Sequence, residues 1–376
     1  MTSLPQEIIR FRAGHRVELY HEGALAFEAM EKAIDSALHH VHLETYILRT
    51  DRLGRRILEA LARRAREGVS VRVIFDAVGS HGIDRRVLAD YSEAGIEFEE
   101  FNPPSRWFWR FRPRRRDHRK QLLVDGRVGF LGGLNIGDEY VAAADGAMRW
   151  RDAHLRIEGP GVNELEAIFV ENWFRSGGSS FEWRSLVAHD VSVEGDVSAA
   201  ILADGPTYRR RRLRDLFLDE IRRAEGHVLL VTPYFAPGVR VLDALGEASE
   251  RGVEIELVVA GRTDHPLLRR AARVIYPRLL RRGVRIYEDP DAMMHAKLAA
   301  FDDRLAVVGT SNLDRQSLQH SCEVNVVFEG ARVPTWIRSH FSAERLALRE
   351  LTDVTPSGPW LLRPLADRWA SFWANF

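Results

Sequence analysis

The 376-residue sequence predicts an α/β fold: two homologous α/β/α domains whose mixed, largely parallel central sheets pack around a pseudo-twofold axis. The length is generous for one domain and ordinary for two. Strand-like and helix-like segments alternate along the chain. A short polar motif with constant internal spacing occurs once in each half, which indicates a duplication. We place the domains at residues 1–180 and 181–376, with the Ser-Gly run at 176–180 as linker, although that run could equally be a surface loop.

The two halves repeat the same order of elements. Each starts with a β-rich segment that ends in an aromatic residue, followed by a helical pattern, a glycine typical of a helix C-terminus and a second strand. A further helix and a third strand precede the motif. The matching segments are residues 41–47, 57–67, 68–74 and 95–98 in the first half, and 228–235, 241–250, 252–258 and 283–287 in the second.

The repeated motif combines His, Lys, Asp and Asn. Its two copies are His118, Lys120, Asp125 and Asn135, and, at the same offsets, His295, Lys297, Asp302 and Asn312. In an extended segment the His and Lys side chains point to the same face, so an imidazole and an ammonium group can contact one anion. The apolar run after each lysine and the Asp-Gly or Asp-Asp turn place each motif on a β-hairpin.

Two such hairpins facing each other would gather two histidines, two lysines and two asparagines around one phosphate. One histidine could act as nucleophile and the other as general acid and base. A single His-x-Lys is ordinarily an exposed strand face, but its recurrence with identical downstream spacing argues against that interpretation. The sequence therefore predicts a phosphodiester-cleaving site that needs neither a metal nor an organic cofactor.

On these residues the chain resembles the phospholipase D superfamily, whose duplicated motif is His-x-Lys-x4-Asp-x6-Gly-Ser/Gly-x-Asn. Within it the chain is similar to bacterial cardiolipin synthases, particularly the kind without N-terminal membrane spans. The resemblance runs from about residue 17 to about residue 328 and implies the phospholipase D fold. One departure is Gly133, where many members have Ser, whereas the second copy has Thr310 and Ser311. The first copy would then supply one hydroxyl fewer near the phosphate.

The resemblance also implies roles for individual residues. Asp125 and Asp302 belong to the catalytic motif, in which we expect them to hold the hairpin turn. Asn135 and Asn312 would donate amide protons to phosphate oxygens. Glu44, Tyr46 and Tyr234 end strands near the expected cleft and either line an acceptor channel or simply pack at the strand ends.

Two carboxylates are candidates for orienting the motif histidines. Asp152 follows His118 by 34 residues, and Glu323 follows His295 by 28 residues. A carboxylate on the second imidazole nitrogen fixes the tautomer and raises the basicity of the ring. The alternative is a pair of ordinary surface-strand carboxylates.

For function, the resemblance implies a cardiolipin synthase. His118 would attack a lipid phosphorus, His295 would act as acid and base, and the phosphatidyl-histidine would pass to a second phosphatidylglycerol, giving cardiolipin and glycerol. The reverse assignment of the histidines stays open. Alternatives are a phospholipase D-type hydrolase, a transphosphatidylase that uses another phospholipid such as phosphatidylethanolamine, and a superfamily nuclease. A catalytically silent lipid-binding scaffold would not need the intact His, Lys and Asn set in both halves.

Two segments indicate contact with a membrane. Aromatic residues precede an arginine run directly before the first motif, a composition suited to the headgroups of an anionic surface, although it could also stack nucleic-acid bases. The C-terminal residues from Pro364 have an amphipathic helical pattern, typical of an interfacial anchor or of a helix docked on the core of the protein. We predict membrane contact for Trp107, Phe108, Trp109, Arg110, Trp369 and Trp373.

Composition limits the setting of the protein. The formal net charge is +0, which argues against a protein that coats nucleic acid. The single cysteine, Cys322, excludes an internal disulfide framework. Neither a signal peptide nor about 20 consecutive apolar residues is evident. We expect a peripheral enzyme on the cytoplasmic face of the bacterial cell membrane, whose partners are phosphatidylglycerol and an anionic membrane surface rather than nucleic acid; the oligomeric state is not indicated.

Overall fold

A computed structural model of the protein describes residues 9–104, 115–141, 149–179, 181, 195–205 and 212–353. Among these residues, no helix is both long enough and apolar enough to cross a membrane. The residues predicted to contact a membrane lie outside the described ranges; they are Trp107, Phe108, Trp109, Arg110, Trp369 and Trp373.

The first half of the chain, up to the end of its last helix, contains eight strands and four helices within the described residues. The strands are β1 (Arg12–Tyr20), β2 (His40–Thr45), β3 (Ser70–Asp76), β4 (Ile96–Phe101), β5 (Gln121–Val124), β6 (Val128–Gly132), β7 (Arg149–Arg151) and β8 (His154–Glu158). The helices are α1 (Gly23–Asp35), α2 (Arg52–Arg66), α3 (Arg85–Glu93) and α4 (Gly161–Ser176).

The second half repeats this order with short additions. Its strands are β9 (Val197–Asp204), β10 (His227–Thr232), β11 (Phe235–Ala236), β12 (Glu254–Ala260), β13 (Arg285–Asp289), β14 (Ala292–Met294), β15 (Leu298–Phe301), β16 (Leu305–Gly309), β17 (Leu313–Asp314), β18 (Glu323–Glu329) and β19 (Arg349–Leu351). Its helices are α5 (Arg212–Arg223), α6 (Val239–Glu250), α7 (Pro266–Leu280), α8 (Arg315–Gln319) and α9 (Arg332–Glu344).

Fifteen of these strands form one continuous sheet. The first half contributes the order β1-β8-β6-β5-β2-β3-β4, and the second half contributes the matching order β9-β18-β16-β15-β10-β12-β13, with β19 added at its edge. The two orders meet where β1 and β9 pair antiparallel, at Arg12 with Ala199 and at His15 with Val197. The duplication seen in the sequence is therefore repeated strand by strand in the sheet. The domain boundary at residue 180 stays a prediction.

The prediction of a mixed α/β fold is confirmed, but the sheet is less parallel than expected. Among the described strands of the sheet, the parallel pairs are β2–β3, β3–β4, β10–β12 and β12–β13. The motif hairpins β5–β6 and β15–β16 and the strands that follow them are antiparallel. Tight turns can connect only antiparallel neighbours, whereas each parallel pair needs a helical crossover.

The motif strands are buried on both faces, which fixes their position. On β5, Leu122 and Val124 belong to a cluster with residues of α1 and α2, whereas Leu123 belongs to a cluster with residues of α4. On β15, Ala299 and Phe301 likewise face the opposite cluster from Leu298 and Ala300. A one-residue slip in either strand would exchange the two faces. The residues at the start of each strand are thereby held in a constant register.

Asp125 and Asp302 sit at the turns of the two motif hairpins. Both adopt a left-handed backbone, with φ of 52° and 50°. The carboxylate of Asp125 accepts three backbone N–H groups, from Leu38, His39 and His40, at 2.8 Å each. The carboxylate of Asp302 accepts those of Glu225, Gly226 and His227 at 2.8 to 3.2 Å. Each aspartate therefore ties its hairpin to the start of the neighbouring strand, β2 or β10.

Replacing either aspartate by alanine should destabilise the protein, because three backbone donors lose a charged acceptor. We expect Asp125→Ala and Asp302→Ala each to lower the free energy of unfolding by about 2 kcal/mol or more. Urea denaturation followed by circular dichroism measures this, with the exposed Asp90→Ala as a control. A loss within about 0.5 kcal/mol of that control would contradict the structural role.

Candidate active site

Each motif histidine is paired with a carboxylate from the opposite half of the chain. Nδ1 of His118 lies 3.0 and 3.1 Å from the two carboxylate oxygens of Glu323, on β18. Nδ1 of His295 lies 2.6 Å from Oδ2 of Asp152, which directly precedes β8. Nζ of Lys297 also lies 2.9 Å from Nδ1 of His295. From the carboxylate contacts we assign an N–H donor at Nδ1 of both rings. That tautomer leaves Nε2 of each histidine with a free lone pair.

The backbone makes the same crossing between the halves. The N–H of His118 donates to the carbonyl of Cys322 at 2.9 Å, and the N–H of His295 donates to the carbonyl of Arg151 at 2.6 Å. The chain before each histidine also pairs across the halves, through a bridge between Asp117 and Cys322 and through the parallel strands β14 and β7. Each histidine is therefore positioned by the half that does not contain it.

Lys120 and Lys297 are buried beside the histidines, with 1% and 4% of their surfaces exposed. Nζ of Lys120 donates to the carbonyl of His118 at 2.6 Å, and Nζ of Lys297 donates to the carbonyl of His295. Burial, assisted by the charge of Lys297, lowers the pKa of Lys120 to about 7. Burial also lowers the pKa of Lys297 to about 8. Two buried cations within electrostatic reach of each other favour the binding of an anion.

The pKa values of the two histidines and of their carboxylates are also shifted. Burial lowers the pKa of His118 and of His295 well below the ordinary value, and both lysines act in the same direction. Burial raises the pKa of Asp152 to about 6 and that of Glu323 to about 8, against the pull of the lysines. The imidazoles are therefore neutral at neutral pH, as a nitrogen nucleophile requires. An anion beside them would raise their pKa values, as a general acid requires.

Both motif asparagines are buried. Asn135 accepts the N–H of Ile47 at 3.1 Å and donates to the hydroxyl of Tyr140 at 2.6 Å. Oδ1 of Asn312 is buried and has no hydrogen-bond partner among the described residues. The predicted role of both amides as donors to a phosphate stays a prediction. Asp125 and Asp302 lie at the far ends of β5 and β15, so they contact neither histidine.

Aromatic rings lie against the two histidines. The ring of Tyr46 meets His118 edge-on at 5.1 Å between centroids, and Trp150 meets His295 in the same way at 5.0 Å. Tyr140 lies 5.9 Å from His295. Tyr234 donates its hydroxyl to Asp264. Of the two tyrosines considered from sequence, Tyr46 thus contacts a motif histidine. The sequence did not identify Trp150, Tyr140 or Asp264 as residues of this site.

A buried polar network beneath His118 was also not identified from sequence. Glu44 accepts hydrogen bonds from Gln121 at 2.5 Å and from Asn172 at 2.6 Å, and Asn172 also donates to Asp117 at 3.0 Å. Arg119 forms a buried ion pair with Glu44 at 3.5 Å. Glu44 therefore lies in this network and not on the wall of a channel.

The pattern that could have revealed the network is the polar character of alternate residues around the first motif. Asp117, Arg119 and Gln121 stand at the positions that Met294, Ala296 and Leu298 occupy around the second motif. Since alternate residues share a face of an extended segment, the comparison predicts a polar support under one histidine and an apolar support under the other.

One group of described residues has the donor atoms and spacing to hold a metal ion, and it lies outside this site. His40 and His42 on β2 contact the two carboxylate oxygens of Glu166 on α4 at 2.8 and 2.7 Å. All three side chains are buried. Burial lowers the pKa of His42, and its two histidine partners lower the pKa of Glu166 to about 2. One carboxylate thus accepts both imidazole N–H groups, whereas Nδ1 of His40 and Nε2 of His42 are buried without a hydrogen-bond partner among the described residues.

Comparison with known proteins supports the family resemblance. The family profile "Cardiolipin synthase, PLD-like domain" matches residues 30–173 and 217–345, which include both motifs. The probable cardiolipin synthase YwiE of Bacillus subtilis is 34% identical over 352 residues, covering 94% of this chain and 69% of that protein. The cardiolipin synthase of Halalkalibacterium halodurans is 33% identical over 343 residues, covering 88% and 68%. The curated relatives are longer: the chain covers as little as 61% of some of them.

Solved structures share the fold. The crystal structure of phosphatidylserine synthase from Haemophilus influenzae superposes with a TM-score of 0.73 at 15% identity, covering 97% of this chain and 95% of that one. Polyphosphate kinase from Porphyromonas gingivalis superposes with a TM-score of 0.58 at 14% identity, covering 96% and 53%. The first likeness extends over nearly the full length of both chains. The family profile and the relatives show that the chain is an enzyme of the phospholipase D superfamily and belongs to its cardiolipin synthase family.

Proposed function

We propose that this protein transfers a phosphatidyl group from one phosphatidylglycerol molecule to another, producing cardiolipin and glycerol. The observation that carries the proposal is the pair of neutral, buried histidines, each oriented by a carboxylate of the other half, in a chain of the cardiolipin synthase family. Such a pair can act from two sides on one phosphorus.

The first step forms a covalent intermediate. Nε2 of His118 attacks the phosphorus of the donor lipid, and the bond from phosphorus to the glycerol oxygen breaks. His295, protonated while the anionic diester is bound, gives its proton to that oxygen, so that glycerol leaves and phosphatidyl-histidine remains. Glu323 accepts the Nδ1–H of His118 and so orients the ring, and the positive charge that develops on the ring favours the ionised form of Glu323, whose pKa burial raises to about 8 in the resting site.

The second step returns both histidines to their starting forms. A headgroup hydroxyl of the acceptor phosphatidylglycerol gives its proton to Nε2 of His295, and its oxygen attacks the phosphorus. The bond between phosphorus and Nε2 of His118 breaks, and cardiolipin leaves. His295 exchanges one proton with the alcohol through Nε2, while its Nδ1 contacts Asp152.

Lys120 and Lys297 stabilise the negative charge on the phosphate. The sequence contains only three lysines, Lys32 being the third, among 54 basic residues. A compact ammonium group changes its pKa readily on burial, whereas arginine stays charged. We propose that the two buried lysines hold the non-bridging oxygens, assisted by Asn135 and Asn312.

We further propose that the enzyme works at the cytoplasmic face of the bacterial membrane as a peripheral protein. The support is the sequence of the segment that contains Trp107, Phe108, Trp109 and Arg110, which precedes the first motif by only a few residues. Aromatic and basic residues so close to His118 in sequence would bring the reacting phosphorus to the site from an anionic bilayer.

The lysine pKa values predict how the site binds anions. In protein labelled with ¹³C at lysine Cε, three resonances should appear, and Lys120 and Lys297 should titrate near pH 7 and 8. Adding sulfate should raise both pKa values, because an anion stabilises the charged form. By linkage, sulfate affinity should fall as the pH rises from 7 to 9. Exposed Lys32 is the internal control; titration of all three lysines together, unaffected by sulfate, would contradict the phosphate-binding role.

The activity is tested with purified protein and phosphatidylglycerol vesicles, with lipid products followed by mass spectrometry. We expect cardiolipin and glycerol in equal amounts. His118→Ala should reduce turnover by at least about 10³-fold, because it removes the nucleophile. His39→Ala, an exposed histidine in the same half, is the matched control and should keep wild-type turnover.

Three results would overturn the proposal. Phosphatidic acid as the sole product would make water the acceptor and the protein a hydrolase. Turnover only with phosphatidylethanolamine would change the donor. Cleavage of DNA with no turnover of phospholipid would favour the nuclease alternative.

A further inference from the structure

The register of the sheet identifies equivalent residues in the two halves of the site. Gly132 pairs with His154 across β6 and β8, and Gly309 pairs with Asn325 across β16 and β18. Counting back two residues makes Asp152 equivalent to Glu323, and counting forward one makes Gly133 equivalent to Thr310. The backbone agrees, since the N–H of Gly133 and that of Thr310 each donate at 3.0 Å to the residue after the carboxylate.

In the second half, the residue after the motif glycine supports the longer carboxylate. Oγ1 of Thr310 lies 2.5 Å from Oε2 of Glu323, the oxygen that also lies 3.1 Å from Nδ1 of His118. The backbone N–H of Val324 donates to the same hydroxyl at 3.0 Å, which fixes its rotamer. Thr310 is fully buried. Its hydroxyl therefore acts on Glu323 and is not the phosphate contact expected from sequence.

In the first half, the equivalent position has no room for a side chain. A Cβ atom on Gly133 would overlap the carboxylate of Asp152, with Oδ1 as the closest atom. Asp152 is one methylene shorter than Glu323, and its Oδ1 accepts the N–H of Ala153 at 2.7 Å while its Oδ2 faces His295. Because Gly133 has no side chain, the shorter carboxylate of Asp152 can occupy this volume. The departure from the usual serine at this position thus has a steric cause.

The next residues differ in the same way. Ser311 bonds to Asn325 through its backbone N–H at 3.4 Å and its hydroxyl at 2.9 Å. The equivalent pair in the first half is Leu134 and His154, and both ring nitrogens of His154 are without hydrogen-bond partners among the described residues. Within the described residues, side-chain hydrogen bonds link the loop after the second motif to its carboxylate strand, whereas only backbone hydrogen bonds link the loop after the first motif to its own.

We propose that residues 133 and 310 are positioning residues of the two catalytic histidines, each matched to the length of the carboxylate that it contacts. Thr310 holds Glu323 for His118, and the absence of a side chain at Gly133 lets Asp152 reach His295. The pairs Glu with Thr and Asp with Gly thus each place a carboxylate oxygen beside Nδ1 of a motif histidine. The inference rests on the proposed function, because it takes His118 and His295 as the reacting groups.

The first test separates the hydroxyl from the volume of Thr310. Thr310→Val keeps the shape and loses the hydrogen bond, whereas Thr310→Ser keeps the hydroxyl. We expect Thr310→Val to lower kcat by at least about tenfold with KM within about twofold of wild type, and Thr310→Ser to restore most of the loss. Wild-type kcat in Thr310→Val, or an equal loss in Thr310→Ser, would overturn the role of the hydroxyl.

The second test transplants one matched pair into the other half. Gly133→Thr and Asp152→Glu should each lower kcat by about 100-fold or more, because each mispositions the carboxylate beside His295. The double variant carries the pair found in the second half and should recover at least about tenfold over the poorer single variant. A folded double variant no better than that single variant would overturn the matching. Thermal unfolding confirms folding, and if the double variant does not fold, the Thr310 series decides.

All variants are assayed on bis(p-nitrophenyl) phosphate as well as on phosphatidylglycerol vesicles. Hydrolysis of the synthetic diester uses the same histidines but no lipid. If wild-type protein cleaves the diester and turns over no phospholipid, the proposed function fails while the matching is still measured. If the diester assay shows no recovery in the double variant and no effect of Thr310→Val, the matching fails whatever the lipid substrate is.

Discussion

The hydrogen bonds between each motif histidine and a carboxylate of the other half are the interactions on which the rest of the structure depends. They require β8 and β18 to lie beside the opposite motif, which the pairing of β1 with β9 makes possible. They also require the hairpins to keep their register, which burial on both faces and the turn aspartates provide. A site built in this way cannot form in one half alone.

Much of this arrangement could be predicted from the sequence, because it is carried by spacing. Two copies of His, Lys, Asp and Asn at constant offsets predict two hairpins around one phosphate, and the structure brings His118 and His295 together with both lysines. The positions of Asp152, just before a strand, and of Glu323, on a strand, also identified them as partners of the histidines, although the pairing across the halves follows only from the structure. The parallel character of the sheet was overestimated. The strands at 40–45, 70–76 and 96–101 and their helices dominate the strand-helix alternation in the sequence, whereas the short hairpin strands contribute most of the antiparallel pairs.

The remaining features depend on contacts between residues far apart in the chain. Glu44, Asp117 and Asn172 form one network only after three elements have packed, so no local pattern contains it. The reason for glycine at position 133 lies in the carboxylate of Asp152, nineteen residues later. These features make the halves unequal. His118 has a polar, hydrogen-bonded support and a carboxylate fixed by Thr310, whereas apolar residues flank His295.

In the proposed mechanism both halves act on one phosphorus, and only one histidine carries the covalent intermediate. Mass spectrometry of protein quenched during turnover of phosphatidylglycerol measures this directly. We expect at most one phosphatidyl adduct per chain, located on His118 and absent from His118→Ala. His295→Ala loses the acid of the first step and the base of the second, so its adduct should both form and break down slowly. Two adducts per chain, or an adduct that persists in His118→Ala, would contradict this mechanism.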